Sequence, residues 1–419
     1  MLRYAPAIII GRLVRFAARV RKPGGGSAIP GLIVNRIAPG YLAKALASFP
    51  GGLLVVSGSN GKSTTTKMLV AIMRAHGASV FTNPSTANIA QGLTSALLEE
   101  ADLGGRIHRD LAVLEMDEAH GALLAPQLAA RVVVLTNVQV DQIVRFHDPA
   151  MVRDMLGRIA ARASDGVVIN ADDANLLEIV EDVSAPVIRY GVSEQVAAAS
   201  KHGFGYARAS DERLAADDGL LVHSVDDREA VLLVDGEPQR LRLPSRGVHY
   251  ALDAAAAIGG ARALLQERFE LDAALAAIAT LPPVFARGEK VSIRGQRIEF
   301  VLVKNPASFQ LNIDALDPVG PKLVAYGSDL RDPSFFWTAG ATALGLVDIV
   351  SGSKAAELAL QLTYDGVAID RVEGDLPSAL EAFLALPTPE DGHKTVVFSA
   401  DAMRRTRAYL GLTSEDDDA

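Results

Sequence analysis

The chain has 419 residues, 49% of them apolar and 22% charged, with a formal net charge of −9 and no cysteine. That length suits two or three domains with packed cores, and the composition excludes disordered, collagen-like and coiled-coil classes. No uninterrupted apolar run approaches the roughly 18 residues of a membrane-spanning helix, and the missing thiols exclude disulfides, thiolate metal sites and cysteine nucleophiles, which fits a reducing cytoplasm.

The first elements are basic. No Asp or Glu precedes Glu99, whereas Lys and Arg occur eleven times from Arg3 to Arg74. In the first 22 residues Arg3, Arg12, Arg15, Arg19, Arg21 and Lys22 interleave with Ile8, Ile9, Ile10, Leu13, Val14, Phe16 and Val20. Residues 1–50 therefore read as a basic amphipathic arm. Two accounts fit it: peripheral contact with an anionic membrane surface, or a helix packed on its own domain with solvated arginines. Pro23-Gly24-Gly25-Gly26-Ser27 ends that helix, and the acidic C-terminus from Ser414 reads as a solvated tail.

Next comes the strongest motif, Gly58-Ser59-Asn60-Gly61-Lys62-Ser63-Thr64, between an apolar strand at 53–57 and a helical run from Ser63 to His76 closed by Gly77. Glycines there let backbone N–H groups wrap phosphates at a helix N-terminus. Lys62 would contact the terminal phosphates of ATP or GTP, and the Ser63 hydroxyl would reach Mg²⁺. Val56 stands where the general pattern has its first glycine.

Short apolar runs at 79–82, 111–116, 131–137, 167–170 and 187–191 then alternate with helical segments, the pattern of a doubly wound, mostly parallel α/β sheet. Residues 192–245 read as an insertion with a hairpin-like region around Gly219 and Gly236, and an Ala-rich helix covers 251–266. The pattern resets after Leu281-Pro282-Pro283, with candidate strands at 291–303, 322–328, 346–352, 366–372 and 394–400. The expected organisation is an ATP-binding domain at 51–283 and a smaller α/β domain at 284–419.

The loop variant resembles that of the Mur ligases, which activate a carboxylate as an acyl phosphate and couple an amine to it. Further stretches resemble the MurT branch: Thr82-Asn83 with Ala87-Asn88, Leu114-Glu115-Met116-Asp117-Glu118-Ala119, Thr136-Asn137-Val138 with Asp141-Gln142 and Arg145, Asn170-Ala171-Asp172-Asp173, and Lys304-Asn305-Pro306-Ala307. The resemblance implies ATP and Mg²⁺ as cofactors. Glu115, which ends an apolar strand, becomes a Mg²⁺ ligand beside Ser63, or else an exposed strand-end acid. Asn137 and Arg287 are implied to touch nucleotide, with a surface arginine the alternative for Arg287, while Asn88 and Asp141 are implied to line the substrate side. Asp332, and second Asp329, match an aspartate implied to complete the glutaminase site of a partner subunit; the alternative is turn aspartates capping local N–H groups.

The branch implies amidation of the D-glutamate α-carboxylate in the lipid II stem peptide, at the inner face of the plasma membrane in the cytoplasm, with ammonia from a GatD-like class I glutaminase. Cysteine-based glutamine hydrolysis needs a thiolate, so a second chain must supply that step. No nucleic-acid partner is expected. The chain departs from the branch in lacking the four zinc-ribbon cysteines, so no zinc is expected, and in carrying Thr86, Tyr250 and Asp253 at positions that usually hold Gly, Asn and Asn. Two other readings remain open: a Mur-like ligase adding an amino acid to another carboxylate, and a nucleotide-binding scaffold with weak activity.

Overall fold

The computed structural model describes residues 2–21, 28–84, 87–142, 145–283, 286–316, 319–389 and 392–412. The expected helix break at 23–27, Thr86, the boundary at 284 and the C-terminal tail lie outside these residues.

Nine strands build the larger sheet: β1 (Leu53–Ser57), β2 (Val80–Thr82), β3 (Leu111–Glu115), β4 (Ala130–Leu135), β5 (Gly166–Asn170), β6 (Val187–Val192), β7 (Gly219–Asp226), β8 (Glu229–Val234) and β9 (Glu237–Arg242). Their order is β2-β3-β1-β4-β5-β6-β7-β8-β9, parallel from β2 through β7 and antiparallel from β7 to β9. β1 and β3 are buried at every position, as strands covered on both faces must be. Alternate residues feed two cores. Leu54, Val56, Val113 and Val134 meet helices Lys62–Ala75 and Val248–Leu265, while Leu53, Val55, Leu114 and Val133 meet Ala90–Glu100 and Pro149–Ala160. Helix Val248–Leu265 is buried almost all round; a Cβ at its Gly260 would lie 2.8 Å from Val134 Cγ2.

The second sheet contains β10 (Arg287–Ile293), β11 (Gln296–Leu302), β12 (Lys322–Ala325), β13 (Leu346–Ser351), β14 (Ala368–Glu373) and β15 (Lys394–Phe398), in the order β10-β11-β15-β12-β13-β14. Only the β10–β11 pair is antiparallel. The single strand expected at 291–303 is thus corrected to a hairpin, turning at Arg294 (φ +51°) and Gly295 (φ +79°). The hairpin-like region around Gly219 and Gly236 is a pair of antiparallel hairpins; Gly219 opens β7, and a Cβ there would sit 2.2 Å from the Arg189 carbonyl. The turns fall at Asp227 and at Asp235-Gly236, all at positive φ, so residues 219–242 form a meander that widens the main sheet.

The N-terminal residues pack against the body. Helix Ala5–Arg21 lies on helices Ile29–Ile37 and Ala90–Glu100, burying Tyr4, Ala7 and Ile8 with Val34 and Tyr41. Among the described residues no helix is long and apolar enough to cross a membrane.

Candidate functional site

Parallel strands place their C-terminal ends, and the loops leaving them, along one edge of the sheet. Here that edge carries the phosphate loop after β1, Glu115 at the end of β3 and Asn137 after β4. The loop is shaped by Gly58 (φ +131°) and Gly61 (φ +83°). At Gly61 a side chain is excluded twice: by the left-handed backbone, and because a Cβ would sit 2.3 Å from Asp253 Oδ1. The helix that follows starts at Lys62 without a side-chain cap, leaving its first N–H groups and positive dipole end toward the loop.

Asn137 holds the loop in place. Its side-chain oxygen accepts from the Asn60 N–H at 2.9 Å, its amide donates to the Asn60 carbonyl at 3.2 Å, and its own carbonyl accepts from the Ser59 N–H at 2.9 Å. Asn60 reaches across to the second sheet's side, donating to Asn305 Oδ1 at 2.9 Å and to Gln139 Oε1.

Arg287, the first residue of β10, comes from the second sheet to the same loop. Its guanidinium donates to Thr64 Oγ1 at 3.3 Å and Ser63 Oγ at 3.2 Å. This geometry is not that of a surface arginine; the side chain sits at the N-terminus of the helix that follows the loop. Beneath it Asp253 is buried, accepting from Thr65 Oγ1 at 3.3 Å, and burial pushes its carboxyl up to about 7 against the opposing pull of Arg287 and the threonine hydroxyls. His249 is half-buried; desolvation, with the Arg287 charge, lowers it to about 4 and leaves a neutral ring at physiological pH.

Lys62 Nζ pairs with Glu118 Oε1 at 2.7 Å and also donates to the carbonyls of Gly58 and Ser59. Burial alone disfavours the ammonium, but Glu118, Glu115 and Asp141 together hold its pKa above the usual lysine value. Burial likewise raises Glu118, whose second carboxylate oxygen has no hydrogen-bond partner. Next to it Asp117 takes two 2.6 Å hydrogen bonds from Arg145. Burial works against the Asp117 carboxylate, yet these bonds and the His120 N–H hold its pKa below the usual value.

Glu115 is buried, and Asn83 fixes its backbone, accepting from the Glu115 N–H at 3.1 Å and donating to its carbonyl at 3.0 Å. Asn88 Nδ2 approaches Glu115 Oε1 at 3.4 Å. Asn88 lies just before helix Ala90–Glu100. One cavity is lined by Ser59 through Thr64, Asn88, Glu115, Asn137, Asp141, Asp253 and Arg287. It thus gathers the expected nucleotide, metal and substrate residues, with Gly58 at the loop's base. For a divalent cation bridging phosphates it offers the Ser63 hydroxyl and the Glu115 carboxylate, a two-oxygen set that suits Mg²⁺ completed by phosphate and water. Among the described residues no group of three or more His, Asp or Glu gathers at metal-binding distance.

Asp329 and Asp332 lie elsewhere, in a second cavity that shares Asp141, Gln142 and Lys304 with the first and adds Arg145 and Arg331. Asp329 accepts from Ser399 Oγ at 2.6 Å and from the N–H groups of Ala400 and Asp401, both at 3.1 Å, capping the last helix. Asp332 caps the short helix Pro333–Thr338 through Ser334 at 3.0 and 2.5 Å. Asp332 makes the local contacts of a turn aspartate, whereas Asp329 ties its loop to residues 70 to 72 positions further on.

Sequence reasoning gave no role to Glu118, Asp253, His249 or Gln139. For Glu118 a signal existed: an acid in the first helical turn after a parallel strand faces the same crevice as that strand's end. Asp253 and His249 arrive on a helix nearly two hundred residues beyond the loop, and no local pattern marks them.

Comparison with known proteins agrees with this geometry. Residues 56–261 match the Mur ligase middle domain. The chain is 24% identical to the MurT subunit of lipid II isoglutaminyl synthase (glutamine-hydrolyzing) from Streptococcus pneumoniae, across 98% of this chain and 97% of that protein. With the Staphylococcus aureus MurT subunit it is 26% identical over 53% of this chain, a match spanning only about half (48%) of that relative. Against UDP-N-acetylmuramate–L-alanine ligase of Bifidobacterium longum it is 29% identical, covering 50% of this chain and 40% of that enzyme. Among solved structures, MurF from Acinetobacter baumannii superposes with a TM-score of 0.68 at 16% identity, covering 92% of this chain and 80% of that one. Folylpolyglutamate synthase of Mycobacterium tuberculosis, complexed with ADP and AMPPCP, gives 0.62 at 17%, covering 92% and 99%. Residues 56–261 are therefore similar to the Mur ligase middle domain, the chain has the fold of the Mur ligases, and along its length it is MurT-like.

Proposed function

We propose that this chain is an ATP-dependent carbon–nitrogen ligase of the MurT type. The observation that carries the reading is the convergence of Lys62, Ser63 and Arg287 on one phosphate-binding helix N-terminus, with Glu115 lining the same cavity. ATP phosphates would lie in the loop from Gly58 to Thr64, with Asn137 and Arg287 fixing the nucleotide from either side. Mg²⁺, held by Ser63 and Glu115, would neutralise phosphate charge. Asn88 and Asp141 would face the acceptor.

In the first step an acceptor carboxylate oxygen attacks the γ-phosphorus and ADP leaves, giving an acyl phosphate. Ammonia then attacks the acyl carbon, phosphate departs, and the nitrogen gives up a proton to form the amide. Placement of the reactants and charge compensation by Lys62 and Arg287 are the protein's main contributions. The acceptor in this reading is the D-glutamate α-carboxylate of lipid II, at the cytoplasmic membrane face. Lacking any thiol, the chain takes ammonia from a GatD-like glutaminase subunit, toward which Asp332 or Asp329 would project. The likeness to MurT along 98% of the chain supports this choice.

A second reading, addition of an amino acid, is favoured by the higher local identity, 29%, to UDP-N-acetylmuramate–L-alanine ligase. Hydroxylamine tests the shared first step. Incubation of the chain with ATP, Mg²⁺, lipid II and hydroxylamine is expected to yield a lipid II hydroxamate in step with ADP. ADP formation with no hydroxamate overturns the acyl-phosphate route.

A further inference from the structure

The helix Ala5–Arg21 presents the reverse of the arrangement expected of a basic helix. Arg12 and Arg15 turn toward the protein. Arg12 donates to the carbonyls of Leu98, at 3.1 Å, and Ala101 at the C-terminal end of helix Ala90–Glu100, where a cation meets the negative dipole end, and Arg15 pairs with Glu99. This docking is tight. A Cβ at Gly11 would lie 2.6 Å from Val34 Cγ2, and the Gly31 N–H donates to Ser95 Oγ at 2.8 Å.

With those charges turned inward, the outer face is left apolar. Ile9, Ile10, Leu13 and Phe16 recur at the spacing of one helical face, with Leu13 63% and Phe16 71% exposed. On the adjoining helix Ile29–Ile37, Ile29 and Leu32 (58%) are exposed as well. A contiguous apolar surface of this kind marks an interaction site.

Charge selects the occupant. No acid precedes Glu99; Arg36 is exposed at the same helical spacing as Ile29 and Leu32, and Arg3 is exposed in the short turn Leu2–Tyr4 that leads into the first helix. A second copy would set these two cations against their counterparts, whereas an anionic phospholipid surface complements them and accepts aliphatic and aromatic side chains at its headgroup–acyl boundary. We propose that the outer face of helices Ala5–Arg21 and Ile29–Ile37 docks on an anionic phospholipid bilayer, with Leu13 and Phe16 inserted and the cations at headgroup level. The inference does not depend on the ligase reading, and vesicle binding tests it without any activity measurement.

The test is flotation of the full chain with phosphatidylcholine vesicles, with and without phosphatidylglycerol. Binding is expected to be at least about tenfold tighter with phosphatidylglycerol and to weaken with salt. The Leu13→Asp/Phe16→Asp variant, which changes only exposed side chains, is expected to lose that binding by about tenfold or more with its melting temperature unchanged. Equal binding of both proteins overturns the proposal, as does a wild-type chain that ignores anionic vesicles. A dimer that this double variant dissociates would also overturn it, assigning the face to a second copy.

Discussion

Lys62 and Glu118 form an ion pair at 2.7 Å, with side chains 13% and 3% exposed. Desolvating two charges offsets much of their attraction, so such a pair is weak evidence for stability, yet removing one partner leaves a buried charge behind. In the proposed function, phosphate oxygens entering the loop would compete with Glu118 for the same ammonium.

Lys62→Met is therefore expected to abolish ADP binding and to destabilise the fold by about 3 kcal/mol through the stranded Glu118. Adding Glu118→Leu to it should restore most of the stability and none of the binding. Calorimetric titration with ADP and thermal unfolding of the two variants check this; equal melting of single and double variants would refute the coupling.

Gly61→Ala places a methyl group against Asp253 and a side chain on a φ +83° backbone. The expected outcome is a stability loss of roughly 1–2 kcal/mol from the left-handed conformation alone, with ADP affinity reduced further. Asp253→Ala in the same chain should relieve the contact without curing the backbone strain, so denaturant melts should show only partial recovery.

Asp253 gives a pH dependence of definite sign. Its folded pKa of about 7 lies above the ordinary carboxylate value, so the native state holds a proton that the unfolded state releases. The associated stability is present below the unfolded pKa and declines as pH rises toward about 7. Asp253→Asn keeps the neutral shape, and its melting temperature should exceed that of the wild type progressively from pH 5 to pH 8. A constant difference across that range would contradict the assignment. Asp173, raised by burial to about 6, changes stability in the same direction in both proteins and cancels in the comparison.

Two ion pairs on the second sheet separate burial from proximity. Arg246, from the loop after β9, meets Glu299 on β11, which also accepts from His393 at 2.6 Å and is 2% exposed. Arg294 and Glu381 approach as closely, at 2.7 Å, but stand in solvent. Arg246→Met is expected to lower stability by about 3 kcal/mol, while Arg294→Met should leave the urea midpoint unchanged.

The phosphate loop, the strand-end position of Glu115 and the α/β alternation were legible in the sequence because each is a local pattern: glycine placement, an apolar run closed by an acid, a change of period. Arg287 was reachable only through family resemblance, since its contact with Ser63 spans 224 positions. Asp253 escaped because its meaning lies in burial against Gly61, which no spacing encodes, whereas the place of Glu118 in the first helical turn after β3 was a readable signal. The outward apolar face of the first helix escaped for another reason. Arg12 meets carbonyls, and Arg15 a carboxylate, at the end of a helix more than eighty residues away, contacts that composition does not encode.

The central claim is tested most directly by incubating the pure chain with ATP, Mg²⁺, lipid II and ammonium, following ADP and the mass of the stem peptide together. The account predicts one ADP per amidated lipid II, ADP only when lipid II and ammonia are both present, and none from Lys62→Met. ADP release that ignores ammonium, or a product heavier by an amino-acid residue, would contradict it.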